Sequence, residues 1–410
     1  MKQSATLQRN LSVTRLLSIS VAARIVVDTS VQIFSPFLPM IAAGLGTNVV
    51  VMGRLVAIRS AMGLFSPLFG AAADRGSYRR VMQLGLLCGA TGMTVLGLST
   101  SVWMAALGMV FAGLCFASFT PTLQAYVSAR LPYHRRARGL GILEYSWAIT
   151  GIAGLFLVGQ IIERSSWRVP FFLLGAGMLV SAAVFGILPP AGHRSSQEAI
   201  RGEGGDSISP FTPSSRRFVA FFHLGENARS AYGTIAVNFC LMFSAVQFMI
   251  IYGAWLNGEY GLSASQLGVV ALVFGLFDLA ASVSVSLFTD SIGKRRSVLL
   301  GSLCVLAGYV LIPFFNVGVL AAVLSLAVTR CFFEFSVVAN IPLLSEQSPH
   351  QRGKVMTLSA AISMMAVTLA SFTGPWIYTE YGVPLVAVVS AASALTGIVV
   401  LALFVKEPAA

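Results

Sequence analysis

Apolar runs of about twenty residues follow one another along most of this chain, separated by short polar stretches. A helix of that length crosses ~30 Å of hydrocarbon. Inside hydrocarbon the backbone must satisfy its own N–H and C=O groups, which leaves helices and closed barrels as the available structures. We place twelve spans, near 16–45, 50–73, 79–99, 102–129, 139–163, 168–189, 232–257, 265–289, 297–316, 319–344, 354–379 and 383–405. The 410 residues are 56% hydrophobic and 10% charged, where a soluble chain carries about 25% charged residues. The expected fold is an all-α, multi-pass membrane protein.

A net charge of +12 in a soluble protein would suggest nucleic acid, but the placement of the charge excludes that reading. With the amino terminus inside, cytoplasmic segments hold 21 of the 27 basic residues, the outside holds Arg164 and Arg168, and Arg24, Arg54, Arg59 and Arg330 lie within spans. Such an excess is the positive-inside signature of topology, with some attraction to anionic lipid. Both termini are expected in the cytoplasm of a cell whose plasma (inner) membrane holds the protein. The first apolar run is too long for a signal-peptide core and carries Arg24 and Asp28, so it is expected to be retained. Cys88, Cys115, Cys240, Cys304 and Cys331 lie in apolar spans without paired spacing and read as small packing residues.

Two loops divide the chain into related halves. Asp74-Arg75-Gly76-Ser77-Tyr78-Arg79-Arg80 and Asp290-Ser291-Ile292-Gly293-Lys294-Arg295-Arg296 each join two apolar runs. Gly85 and Gly301 follow them at the same offset, and Trp167-Arg168-Val169-Pro170 is echoed by Gly382-Val383-Pro384. A polar, Gly/Ser/Arg-rich stretch lies between the halves and suits a flexible linker. The expected domains are an N-terminal six-helix bundle over 1–190, a cytoplasmic linker over 191–231 and a C-terminal six-helix bundle over 232–410. Within that linker, residues 216–222 read either as a basic amphipathic segment on the membrane surface or as the approach to the seventh span. Parallel repeats about an axis along the membrane normal place a substrate site at mid-membrane between the halves.

On these residues the chain resembles the major facilitator superfamily, nearest to its bacterial drug and solute efflux branch. The resemblance covers all but the termini and the linker. The loop after the second span is similar to the family's signature at Gly70, Asp74, Arg75 and Arg79, with Ser77 and Tyr78 in place of a glycine and a basic residue. The second copy keeps Asp290, Gly293, Lys294 and Arg295 but lacks an arginine after the aspartate. The resemblance implies two pseudo-symmetric six-helix bundles and a gate, in which the aspartate ending the second span contacts the start of the eleventh in one state and releases it in another. A carboxylate at a helix N-terminus gains roughly 0.3–1 kcal/mol, a suitable size for a latch; the alternative is that these loops only set topology. Two patterns of the family's antiporters are missing. Met109 stands where the fourth span would carry an arginine before Gly113, and the fifth span has Gly151, Gly154 and Gly159 but no proline, whereas Gly374-Pro375 lies in the eleventh.

Charges within spans are expensive and normally face a cavity or a partner. Four basic groups (Arg24, Arg54, Arg59, Arg330) balance four acidic ones (Asp28, Glu144, Asp278, Glu334). Arg24 and Asp28 are four apart on one helix face, as are Arg330 and Glu334, so each is expected to pair. In the family's fold the first, fourth, seventh and tenth spans line the cavity. One carboxylate, Asp28 or Glu334 by preference, is then a candidate to exchange a proton as the pair rearranges; the alternative is a permanent ion pair. Glu144 is close enough to the cytoplasmic end to answer Arg135, Arg136 or Arg138. Arg59 and Arg54 lie toward the outer face, to attract an anionic solute or to reach the headgroups. Gln32, Gln124, Asn238 and Gln247, with Phe34, Tyr126 and Tyr252 nearby, are the uncharged candidates for substrate contact.

No metal, phosphate-cradling or nucleophile motif is present, and His134, His193, His223 and His350 fall in loops. No enzyme, no cofactor and no nucleotide-driven pump is expected. The leading expectation is a monomeric secondary transporter that exports an amphipathic or drug-like small molecule in exchange for protons. An importer or organic-anion carrier is the alternative, favoured by the intramembrane arginines, and a non-transporting receptor or scaffold of the same fold is the third.

Overall fold

In the computed structural model of the chain, the described residues are 13–131, 133–187, 224, 227–348 and 352–406. They form helices joined by short connections, and the helices follow the apolar runs. Ten are long and apolar enough to span a membrane; a bent pair at the start adds one, and the 52-residue run Gly353–Phe404 holds two, so twelve spans result. Most of the expected linker (191–223 and 225–226) lies outside the described residues, as do 188–190 before it.

In the first half, α1 runs through Val13–Gln32 and Phe34–Gly44, bent by 54° between them. Pro36 and Pro39 withhold the N–H groups that would bond one turn back, which accounts for the bend. α2 spans Val49–Ala73, begins at Asn48, whose side chain accepts from Val51 N at 2.9 Å, and tightens to a 3₁₀ turn over Met62–Phe65 ahead of Pro67. α3 is Tyr78–Leu98 and α4 is Val102–Arg130. α5 runs from Tyr133–Ile149 through a π-helical turn, Thr150–Leu155, to Phe156–Arg164, and α6 is Val169–Ile187. In the second half, α7 is Ala228–Tyr260, α8 Ala264–Ile292, α9 Lys294–Leu311 and α10 Val319–Glu346. The final run, Arg352–Phe404, breaks at Gly382 (φ 73°, ψ −172°), giving α11 over 352–381 and α12 over 383–404. A side chain would be strained at that φ, and Pro384 just beyond pre-sets the first turn of α12.

Lipid tails offer helices no hydrophobic reason to associate, so packing depends on small residues that let backbones approach. The repeat seen in sequence reappears in this packing. A Cβ built at Gly85 would lie 2.3 Å from Ser118 Oγ across α3 and α4, and one at Gly301 2.2 Å from Ser336 Oγ across α9 and α10. Gly89 meets Cys115 in the same way, and the five cysteines are free. Large apolar side chains such as Trp103 (86% exposed), Ile187 (84%) and Leu68 (66%) point outward, as a surface solvated by lipid requires.

The halves meet along a second set of glycines, gathered toward the end away from the basic loops. A Cβ at Gly253 of α7 would fall 2.1 Å from Pro36 O of α1; at Gly53 of α2, 2.7 Å from Ser371 O of α11; at Gly159 of α5, 2.6 Å from Ala264 O of α8. Gly151 and Gly275 repeat the α5–α8 crossing, with a Cβ at Gly151 3.0 Å from Gly275 Cα. Gln160 Nε2 donates to Ser265 Oγ at 2.5 Å, and Ser265 N donates to Glu163 Oε2 at 3.2 Å. This seam closes the far end of the molecule.

Gly92 tests the packing argument within a half. Its Cβ would sit 2.8 Å from both Ala112 N and Gly108 O, backbone atoms that cannot swing away. Gly92→Ala should lower stability by about 1–3 kcal/mol, read as a fall in the thermal midpoint of the purified protein. Gly70→Ala, with nothing within 4 Å, should leave that midpoint unchanged or slightly raised.

Candidate substrate site

Between the halves lies a cavity of about 520 Å³, within the range of small-molecule sites. α1, α2, α4 and α5 line it on one side and α7, α8, α10 and α11 on the other. The wall therefore includes α2, α5, α8 and α11 as well as the four spans expected. Its basic-loop end is open: Gly141, Ser286 and Ile341 line it and are exposed, whereas the glycine seam closes the far end. Phe34, Phe116, Trp147, Met249, Phe274 and Phe333 make the wall largely apolar.

Three charged side chains on that wall, Glu144, Asp278 and Arg330, are paired across helices. Arg24 (5% exposed) donates Nη1 and Nη2 to the two carboxylate oxygens of Glu144, each at 2.8 Å. Its Nε lies 3.5 Å from Asp28 Oδ2, an ionic contact outside hydrogen-bonding geometry. Ser146 Oγ donates to Asp28 Oδ2 at 2.6 Å, and Gln124 Nε2 to Glu144 Oε1 at 2.8 Å. Asp28 is fully buried, and its Oδ1 has no hydrogen-bond partner among the described residues. In the second half Arg330 donates Nε to Asp278 Oδ1 at 2.9 Å and Nη2 to Oδ2 at 2.7 Å, and lies over the Phe274 ring at 5.6 Å.

Of the two helix-face expectations, Arg24 and Asp28 are in ionic contact as expected, whereas that for Arg330 is revised. Arg330 pairs with Asp278 of α8, not with Glu334 one turn along, and Glu144 accepts from both Nη groups of Arg24, while the side chains of Arg135, Arg136 and Arg138 lie outside the described residues. A guanidinium aligned in the plane of a facing carboxylate makes two charge-assisted bonds, which a neighbour on its own helix cannot match. Glu334 lines the cavity with no hydrogen bond or ion pair among the described residues. Arg59 is 8% exposed on the opposite wall; Nη1 donates to Val31 O at 2.6 Å and the guanidinium lies 5.1 Å over Phe34, with no carboxylate paired to it among the described residues. Arg54 is exposed at the far end, over Phe372 at 5.6 Å.

Gln32 lines the cavity and donates to Trp147 O at 3.2 Å. Gln247 and Asn238 are turned away from it to tie α7 to α11, through Thr373 Oγ1 at 2.8 Å and through Ser359 and Ser363 Oγ at 3.0 and 2.7 Å. Tyr252 is on the wall, whereas Tyr126 is buried against Arg130. Sequence reading missed Ser146, Trp147, Phe116 and Phe274; an apolar or hydroxyl side chain among many carries no mark that it faces a cavity.

At the basic-loop end, Gly70 has open space around it and Arg79 lies near Tyr126. The side chains of Asp74, Arg75 and Asp290 are outside the described residues. After Gly293 (φ 93°), Lys294 pairs with Glu346 at the end of α10. Arg295 donates to Val405 O at 2.9 Å and Ala402 O at 3.1 Å at the end of α12, where a cation satisfies free carbonyls and complements the helix dipole.

A family model described as Major Facilitator Superfamily matches residues 21–252 and 234–410. The chain is 26% identical over 374 residues to the uncharacterized MFS-type transporter YwfA of Bacillus subtilis, covering 90% of this chain and 86% of that protein. It is 25% identical over 361 residues to the uncharacterized MFS-type transporter YceJ of the same organism, covering 86% of each. A crystal structure of a D-xylose-proton symporter superposes with a TM-score of 0.74 at 14% identity, over 95% of this chain and 97% of that one; this is a likeness of fold.

Removing one member of the buried Arg330–Asp278 pair strands the other. Asp278→Ala should destabilise the purified protein by about 3–5 kcal/mol, and the double replacement Arg330→Leu with Asp278→Leu by clearly less. Thermal unfolding of the two variants side by side checks this.

Proposed function

The chain belongs to the Major Facilitator Superfamily and is a multi-pass membrane transporter, and from that premise we propose that it works as a proton-coupled secondary carrier exporting amphipathic or drug-like solutes by alternating access. The observation that carries the proposal is the 520 Å³ cavity between the halves, closed at one end by glycine crossings and open at the other. An excess of Lys and Arg favours the cytoplasmic side, so the open end faces the cytoplasm and the arrangement is inward-open. An apolar wall with a few fixed charges suits a solute that has both an apolar body and a polar group.

Coupling is assigned to the Arg24–Asp28–Glu144 group. One guanidinium serves two carboxylates there, and the buried one keeps an oxygen without a hydrogen-bond partner among the described residues. A proton on Asp28 neutralises that carboxylate and leaves Arg24 wholly to Glu144, whose side chain is 54% exposed. Loading and release of that proton then accompany the rocking of the halves. The latch residues Asp74 and Arg75, with Asp290 in the second copy, act at the basic-loop end as the cavity closes there. The protein works as a monomer in the plasma membrane, with both termini in the cytoplasm.

Purified protein in liposomes should move lipophilic dyes under an imposed pH gradient, and Asp28→Asn should reduce that flux about tenfold while solute exchange without a gradient persists. Absence of any solute movement under any gradient overturns the carrier reading; full gradient-driven flux in Asp28→Asn overturns the assignment of the proton site. Reporter fusions at each terminus check the orientation.

A further inference from the structure

Once each cavity charge is matched to its partner, two are left, and they stand on opposite halves. Arg24 is engaged by Glu144 and Asp28, and Arg330 by Asp278. Among the described residues, Arg59 of α2 has a backbone carbonyl and an aromatic ring as its partners and no carboxylate. Glu334 of α10 has no hydrogen bond or ion pair among the described residues. Both line the same cavity, with apolar side chains such as Phe34, Phe116, Met249 and Phe333 sharing its wall.

We propose that the cavity takes a zwitterionic amphipathic solute, its anionic group bound by Arg59 and its ammonium group by Glu334. The inference rests on the carrier reading above and names the class of solute. An isolated charge removed from water is strongly disfavoured unless it is paired. A solute with one negative and one positive group pairs both leftover charges and adds no net charge to a low-dielectric space. An anion alone satisfies Arg59 and leaves Glu334 unmatched; an amine alone does the reverse. Because Arg59 and Glu334 belong to different halves, one molecule held by both also links the parts that rock. The guanidinium is anchored by Val31 O and Phe34, so it is preset for an anion without first ordering a flexible side chain.

Three probes of one scaffold test the proposal: 4-phenylbutylamine, 4-phenylbutyrate and 2-amino-4-phenylbutyrate. Binding is measured on the full chain in nanodiscs at one pH, without any gradient. The zwitterion should bind at least about tenfold more tightly than either singly charged probe, about 1.4 kcal/mol. Arg59→Gln should bring the zwitterion down to the amine, and Glu334→Gln should bring it down to the carboxylate. Arg59→Lys, which keeps the cation, should preserve the preference and guards against a variant that merely folds poorly. Equal binding of a singly charged probe to the unmodified protein, uniform weakening of all three probes in both variants, or no binding of any probe overturns the inference. Zwitterion preference without gradient-driven transport leaves this site standing and overturns the carrier reading; gradient-driven dye transport without zwitterion preference does the opposite.

Discussion

Two helices in hydrocarbon gain nothing by hiding leucines from lipid tails that are equally apolar; they associate where their backbones can come close. Most of this molecule's architecture depends on where glycine permits that approach. Gly85 and Gly89 seat α3 on α4, and Gly301 seats α9 on α10, so each half carries the same contact. A separate group (Gly53, Gly151, Gly159, Gly253) lets the halves touch, from the middle of the molecule to the end away from the basic loops. With the backbones together there and apart at the other end, a cavity opens toward the basic loops. The glycines of α3 and α9 therefore help select the bundles, and those of α2, α5, α7 and α8 the closed end.

That scaffold decides how the intramembrane charges are spent. Arg24 and Arg330 each find a carboxylate on a facing helix at 2.8 and 2.7 Å, which helps hold α1 to α5 and α10 to α8. The pairs are stationary within a half, so rocking need not break them. Arg59 and Glu334 remain on opposing walls, where only a solute or a conformational change can satisfy them. Paired charges thus support the walls, and unpaired ones face what passes between.

How much was legible in the sequence varies with the range of the interaction involved. The twelve spans could be read because hydropathy is local and the bilayer imposes a length. The duplication was visible in Gly85 and Gly301, which the structure places at equivalent helix crossings. Eight charged residues within spans could be recognised as unusual, and the even totals suggested pairing; Arg24 and Asp28 do meet, but the strongest partners lie on facing helices. Arg330 and Glu334 share a helix face, yet the guanidinium turns to Asp278 because a facing carboxylate offers two aligned bonds. Gln247 was a cavity candidate by depth alone; its rotation about α7 directs it to Thr373. Trp147 and Phe274 went unnoticed because an aromatic residue facing a cavity looks, in one dimension, like one facing lipid.

By itself, then, the sequence determined that this chain is a twelve-span duplicated membrane protein and which end of each helix carries the basic loops. Those properties follow from transfer free energies and charge asymmetries that act residue by residue along the chain. Only the tertiary structure decided which charges pair, which glycines close the far end, and that Arg59 and Glu334 are left facing one cavity. Those outcomes depend on helix rotation and crossing, which are set by contacts between residues about fifty to several hundred positions apart, and no local pattern encodes them.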